Sequence, residues 1–204
     1  MPLSPSADRE PIHTRRITCR GYRRADGLWD VEGQLTDVKT YDFQTEECGL
    51  REPGDPIHEM WVRLTLDDDF IVRGVEAVTD KSPYLSCGVV TSKFQSLVGL
   101  TIRSGWTRAV KERLGGPQAC THLVELLGPI ATTAFQTIYP VLAREQADRA
   151  RQDRAAGRTA PPRRGRPALL NMCHIFASDG PVTRDLWPEH YTGPVDAPAA
   201  EAAE

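Results

Sequence analysis

Within residues 28–43 and 58–66, apolar side chains recur at about every second position. Beyond Cys87 they recur at every third or fourth. The first rhythm predicts strands and the second helices. TRRITCRGYRR forms a strand, and ADG after it signals a turn. LWDVEGQLTDVKTYDF alternates, with Val31, Leu35 and Val38 among Asp, Glu, Gln and Lys. It reads as one long strand or a bent pair, with Gly33 as the place for a bulge. QTEECGLREPGDP is a loop by composition. HEMWVRLTL is the cleanest strand, because Val62, Leu64 and Leu66 share one face against Trp61, Arg63 and Thr65. Asp67 to Asp69 turn the chain, and FIVRGVEAV returns to complete a hairpin.

The helical rhythm starts with Phe94, Leu97 and Val98, which suit a short helix. Trp106, Val110 and Leu114 suit a second, stopped by Gly115 and Gly116. Leu123, Leu126, Leu127, Ile130, Ala134 and Ile138 make a stripe along a third, which Pro129 should kink or restart. The fold class is therefore α+β: a small antiparallel sheet followed by helices packed on one face. The organisation reads as a disordered N-terminus over 1–13 and a core domain over 14–145. An Arg/Pro-rich linker over 146–168, a segment over 169–191 docking on the core, and a disordered tail over 192–204 complete it.

Composition narrows the function. The 204 residues are 40 % hydrophobic and 26 % charged, with a formal net charge of −3. That balance suits a soluble domain and gives no global sign of nucleic-acid binding. No stretch reads as a membrane span, and the N-terminus lacks an apolar signal core, so the expected location is cytoplasmic. Five cysteines, an odd number without a disulfide rhythm, are expected to be reduced thiols or metal ligands.

The candidate chemistry gathers around QACTHLVELL, where Cys120 and His122 stand two apart at a helix start. Free N–H groups and the positive end of the helix dipole stabilise a thiolate there. His58 lies where GDPIHEMW enters the best strand, and Cys87 lies between the hairpin and the first helix. Each alone reads most simply as packing or a strand end. Together His58, Cys87, Cys120 and His122 make a mixed set suited to zinc or iron. Their spacing matches no local finger, so the fold must assemble the site. Asp30, Glu32, Glu59 and Asp80 are the candidate proton carriers beside it. Asp30, Glu32 and Asp37 stand in one strand region, and Asp30 and Glu32, two apart, share a face, which is also how a solvated surface is built. In NMCHIF, Cys173 and His174 are adjacent, so at most one reaches a shared metal. PPRRGR reads as a solvated linker.

The order of a strand pair, a Cys-Gly, two short helices and a His/Cys pair opening a long helix resembles the IscU/NifU-type iron–sulfur cluster assembly scaffolds. The likeness spans about residues 54 to 140 and rests on GDPIHEMWVRLTL, SCGVV and ACTHLVELL. It implies a scaffold-like fold and a cluster or sulfur carrier working with a metal or cluster partner protein. The sequence departs from that family in placing His58 at the first ligand, in reversing the His-Cys order and in lengthening the connection before Cys87. The chain also resembles, over about residues 13 to 191, an uncharacterised bacterial family, the domain-of-unknown-function family 2889. GYRRADGLWDVEGQLTDVKTYDF, PIHEMWVRLTLDDD and QACTHLVELLGPIATTAFQTI carry that likeness. It implies no activity. The residues leave three functions open: a metal-dependent hydrolase or related enzyme acting on a small molecule, a cluster carrier, and a non-catalytic interaction protein.

Overall fold

The structure, a computed structural model, describes residues 4, 6–158, 167 and 169–194. Its contacts divide the chain into two compact units, Met1–Arg149 and Ala150–Glu204. The first unit is a four-stranded antiparallel sheet with helices on one face, which is the expected α+β class. The sheet order is β1-β2-β5-β6, from β1 (His13–Arg23), β2 (Trp29–Lys39), β5 (Pro56–Leu66) and β6 (Val72–Lys81).

Alternation decides which face is buried. On β2 the side chains of Trp29, Val31, Leu35 and Asp37 face inward, while Asp30, Glu32, Gln34 and Thr36 face the other way. Met60, Val62, Leu64 and Leu66 of β5 join the inward set. β2 is a single strand, and its bulge falls between Asp37 and Val38 rather than at Gly33. Gly33 has a different task. A Cβ there would sit 2.8 Å from Cδ1 of Ile130, so the missing side chain lets a helix approach the sheet.

The segment expected as a loop contains a small hairpin, β3 (Phe43–Thr45) with β4 (Gly49–Arg51). Its turn is closed locally: the Cys48 N–H donates to Thr45 Oγ1, and Gly49 takes φ 76°. β5 and β6 turn at Asp67, whose Oδ1 accepts the N–H groups of Asp69 and Ile71.

The first expected helix is a 3-10 segment, Leu85–Leu97. Gly88, Val89, Val90, Thr91 and Ser92 are weak α-helix formers. Phe94 and Leu97, three apart, are its buried pair and line up in 3-10 geometry. α1 (Trp106–Leu114) buries Trp106, Val110 and Leu114 as the rhythm predicts.

α2 (Thr121–Ala155) carries the stripe Leu123, Leu126, Leu127, Ile130, Ala131, Ala134 and Ile138 into the core. It runs without a break through Pro129 and Pro140, so Pro129 does not restart it. It also covers residues 146–155, where the composition suggested a linker. By length and composition α2 could cross a membrane, contrary to the sequence-based expectation, but that same stripe packs in the core of the first unit.

The second unit holds α3 (Pro181–Leu186) between 3-10 turns at His174–Phe176 and Pro188–His190. The rings of Phe176 and Trp187 meet at 5.6 Å. The rest of the expected linker and the tail beyond residue 194 lie largely outside the described residues.

Candidate metal centre

Strand register builds one half of the site. Arg15 of β1 opposes Asp37 of β2, and Asp37 opposes His58 of β5. The three side chains therefore form a row across the inward face. The start of α2 supplies the other half, with Cys120 just before the helix, His122 in its first turn and Glu125 one turn on.

Asp37 is the hub. Its side chain is 1 % exposed, a costly place for a carboxylate unless its charge is matched. Its oxygens are fully engaged. Oδ1 accepts from Arg15 Nε at 2.8 Å and from His13 Nε2 at 3.0 Å. Oδ2 accepts from Arg15 at 2.8 Å and from His58 Nδ1 at 3.0 Å. The guanidinium fork of Arg15 thus grips both oxygens and reaches on to Glu125. Burial alone would push the Asp37 carboxyl up. The hydrogen bonds and charge of Arg15 outweigh that and hold it below the usual carboxylate range.

Because ionised Asp37 can only accept, Nδ1 of His58 carries the proton. The lone pair of His58 is then on Nε2. Burial pushes His58 below the ordinary histidine value, and the neighbouring His122 adds to this against the pull of Asp37. His122 is lowered too, by burial and then by Arg15. Both imidazoles are neutral near pH 7, the form that binds metals or takes up a proton. Their ring centroids lie 3.9 Å apart. Nδ1 of His122 is 3.7 Å from Cys120 Sγ. Asp37, His58 and His122 each offer a ligand atom, and these atoms lie within 4.8 Å of one another.

The structure brings His58, Cys120 and His122 of the sequence-derived set together. Cys87 lies in the 3-10 segment, where its N–H donates to the Tyr84 carbonyl. It is not in the group that converges with His58 among the described residues. The four candidate proton carriers lie on the opposite face of the sheet. Asp30 accepts from Thr65 Oγ1, Glu32 from Arg63 and Glu59 from Gln34. Asp80 lines an outer groove with Glu32, Trp61 and Arg63. The reason is parity: Asp30 and Glu32 are out of phase with Val31 and Leu35. Cys173 and His174 belong to the second unit.

Arg15, His13 and Glu125 are absent from the sequence reading, and Asp37 appears there only as a neighbour of Asp30 and Glu32 in one strand region. Asp37 had a readable signal, since it sits in phase with Val31 and Leu35, where a charge needs a partner. Glu125 follows His122 by three residues and so shares its helix face. Arg15 and His13 become visible only through the β1–β2 register.

No curated protein and no solved structure matches the chain. A family model does match, over residues 13–136, which takes in the whole sheet, every side chain of the centre and the first half of α2. The chain belongs to that family, the "Protein of unknown function (DUF2889)".

Proposed function

We propose that the protein binds one transition-metal ion, zinc or iron, at His58 and His122, and uses it to activate water against a small-molecule substrate. The observation that carries this reading is the convergence of Asp37, His58 and His122 within 4.8 Å. Two neutral imidazoles suit either metal. Asp37 fixes His58 through Nδ1 and leaves Nε2 for the ion, an arrangement common around histidine ligands. With two or three protein ligands, open positions remain for water and for a substrate oxygen. Hydrolysis of an ester or thioester is the chemistry such a centre supports. The donors gathered here include one thiol, fewer than an iron–sulfur carrier uses, which favours a single ion over a cluster. The working compartment in this reading is a reducing one such as the cytoplasm, where five cysteines stay thiols.

One observation favours a second reading. Arg15 holds both oxygens of Asp37, so the carboxylate is spoken for. Asp37 and His58 then form an acid–base pair that works without metal, with Nε2 of His58 as the base. The test strips the protein of metal and assays an ester and thioester panel before and after zinc or iron is returned. The metal reading expects activity only after reloading, and its loss in His122→Ala. Equal turnover by stripped protein would replace it with the metal-free pair.

A further inference from the structure

Two spaced pairs meet at this centre. β5 brings His58 and Met60 in the sequence HEM, and the entry of α2 brings Cys120 and His122 in CTH. Alternation sets residues 58 and 60 on one strand face. Imidazole stands over imidazole, and sulfur stands by sulfur: Cys120 Sγ is 3.9 Å from Met60 Sδ and 3.7 Å from His122 Nδ1. Met60 is fully buried and opposes Leu35. A core methionine is ordinarily filler, yet the sulfur of this one faces a thiol beside an imidazole.

The separations have a chemical meaning. First-row metals bond sulfur at about 2.3 Å and imidazole at about 2.0 Å. In a flat three-coordinate arrangement those lengths set two sulfurs about 4.0 Å apart and a sulfur about 3.7 Å from a nitrogen. Both distances ending on Cys120 Sγ match. Thiolate and thioether are soft donors, and the pair suits the soft copper(I) ion.

Building on the single-ion centre proposed above, we propose that Cys120 Sγ, Met60 Sδ and His122 Nδ1 form a copper(I) site that overlaps it. The Cys120 proton leaves to solvent as copper binds, and the copper stays copper(I), so no oxidant or reductant is consumed. Copper claims His122 and thereby displaces zinc. Its three ligands complete a three-coordinate shell and leave no position for water, so copper(I) silences the hydrolytic chemistry.

The test uses the whole protein under anaerobic conditions. Copper(I) is presented as its bathocuproine disulfonate complex to zinc-loaded wild type, Met60→Leu and Cys120→Ser. Leucine fills the space of methionine with little disturbance, and unfolding midpoints check that each variant is folded. Wild type should take up one copper(I) and release its zinc. Met60→Leu should lose about tenfold or more in copper(I) affinity and keep its zinc affinity. Cys120→Ser should lose more. Undiminished copper(I) binding by Met60→Leu would overturn the copper site, and copper uptake by zinc-loaded protein that keeps its zinc would overturn the overlap of the two sites. The two readings fail separately. Zinc binding without Met60-dependent copper binding refutes the copper site alone. Met60-dependent copper binding by a protein that takes no zinc and shows no metal-dependent turnover refutes the hydrolytic reading and the displacement, but leaves the copper ligands standing.

Discussion

Replacing Asp37 with asparagine keeps the shape of the side chain and removes its charge. The four donors on Asp37 then meet one oxygen and one NH2 group. If the amide nitrogen takes the place of Oδ2, Arg15 and His58 each lose a bond. If it takes the place of Oδ1, Arg15 and His13 do. Two charge-assisted bonds are lost either way, each worth about 1.5–3 kcal/mol when fully buried. The Arg15 side chain is 33 % exposed and retains Glu125, so water recovers part of the loss. The expected cost of Asp37→Asn is about 2–3 kcal/mol, below the penalty for stranding a fully buried charge. Urea unfolding of metal-free protein near neutral pH would measure it from the midpoint, given an unchanged slope. A second consequence is specific to the site. With the amide nitrogen facing His58, the ring must accept at Nδ1 and carry its proton on Nε2, which removes the lone pair offered to metal. Nitrogen-15 shifts of the imidazole would report that exchange. An unchanged tautomer would mean that the amide nitrogen has turned toward His13 instead, whereas a cost below about 0.5 kcal/mol, the usual surface value, would refute the view of Asp37 as the hub.

Leu126→Ala should cost about 2–5 kcal/mol by chemical denaturation, because Leu126 is fully buried; a surface-like value would mean that α2 packs through another face. Gly33→Ala should cost about 1–3 kcal/mol through crowding against Ile130, and adding Ile130→Val should recover part of it, as a double-mutant cycle would show. In metal-free protein, the lowered His58 and His122 set the acid side of the stability profile. The unfolded chain takes up protons first, so their contribution is complete above the ordinary histidine value of about 6.5 and is lost as pH falls through the folded values. Unfolding midpoints should therefore fall on mild acidification and fall less in a His58→Gln/His122→Gln variant; a flat wild-type profile would contradict the burial of these rings.

Much of the sheet was legible because alternation on Val31 and Leu35 and on Val62, Leu64 and Leu66 has one physical solution. The stripe on α2 was legible for the same reason, since seven buried positions repeat at helical spacing. What the pattern could not reveal was lateral. A row running Arg15–Asp37–His58 depends on the register of three strands, and the bulge beside Asp37 helps fix which residues face one another. Asp30, Glu32 and Asp37 stand close together along the sequence, whereas the sheet sorts them by parity. That sent Asp30 and Glu32 outward and Asp37 inward. Local propensity also misjudged the chain around Cys87, where a weak helix former settles as a 3-10 segment. His58 and His122 were within reach of the sequence because each stands at the mouth of an element that the rhythm already defined.

The central claim is that His58 and His122 hold one metal ion. Elemental analysis of wild type, His58→Ala, His122→Ala and Cys87→Ser, each purified identically and shown to be folded, tests it most directly. The account predicts close to one zinc or iron per chain in wild type and in Cys87→Ser, with most of it lost from both histidine variants. Wild-type protein that neither carries nor takes up zinc or iron, or histidine variants that keep a full equivalent, would contradict it.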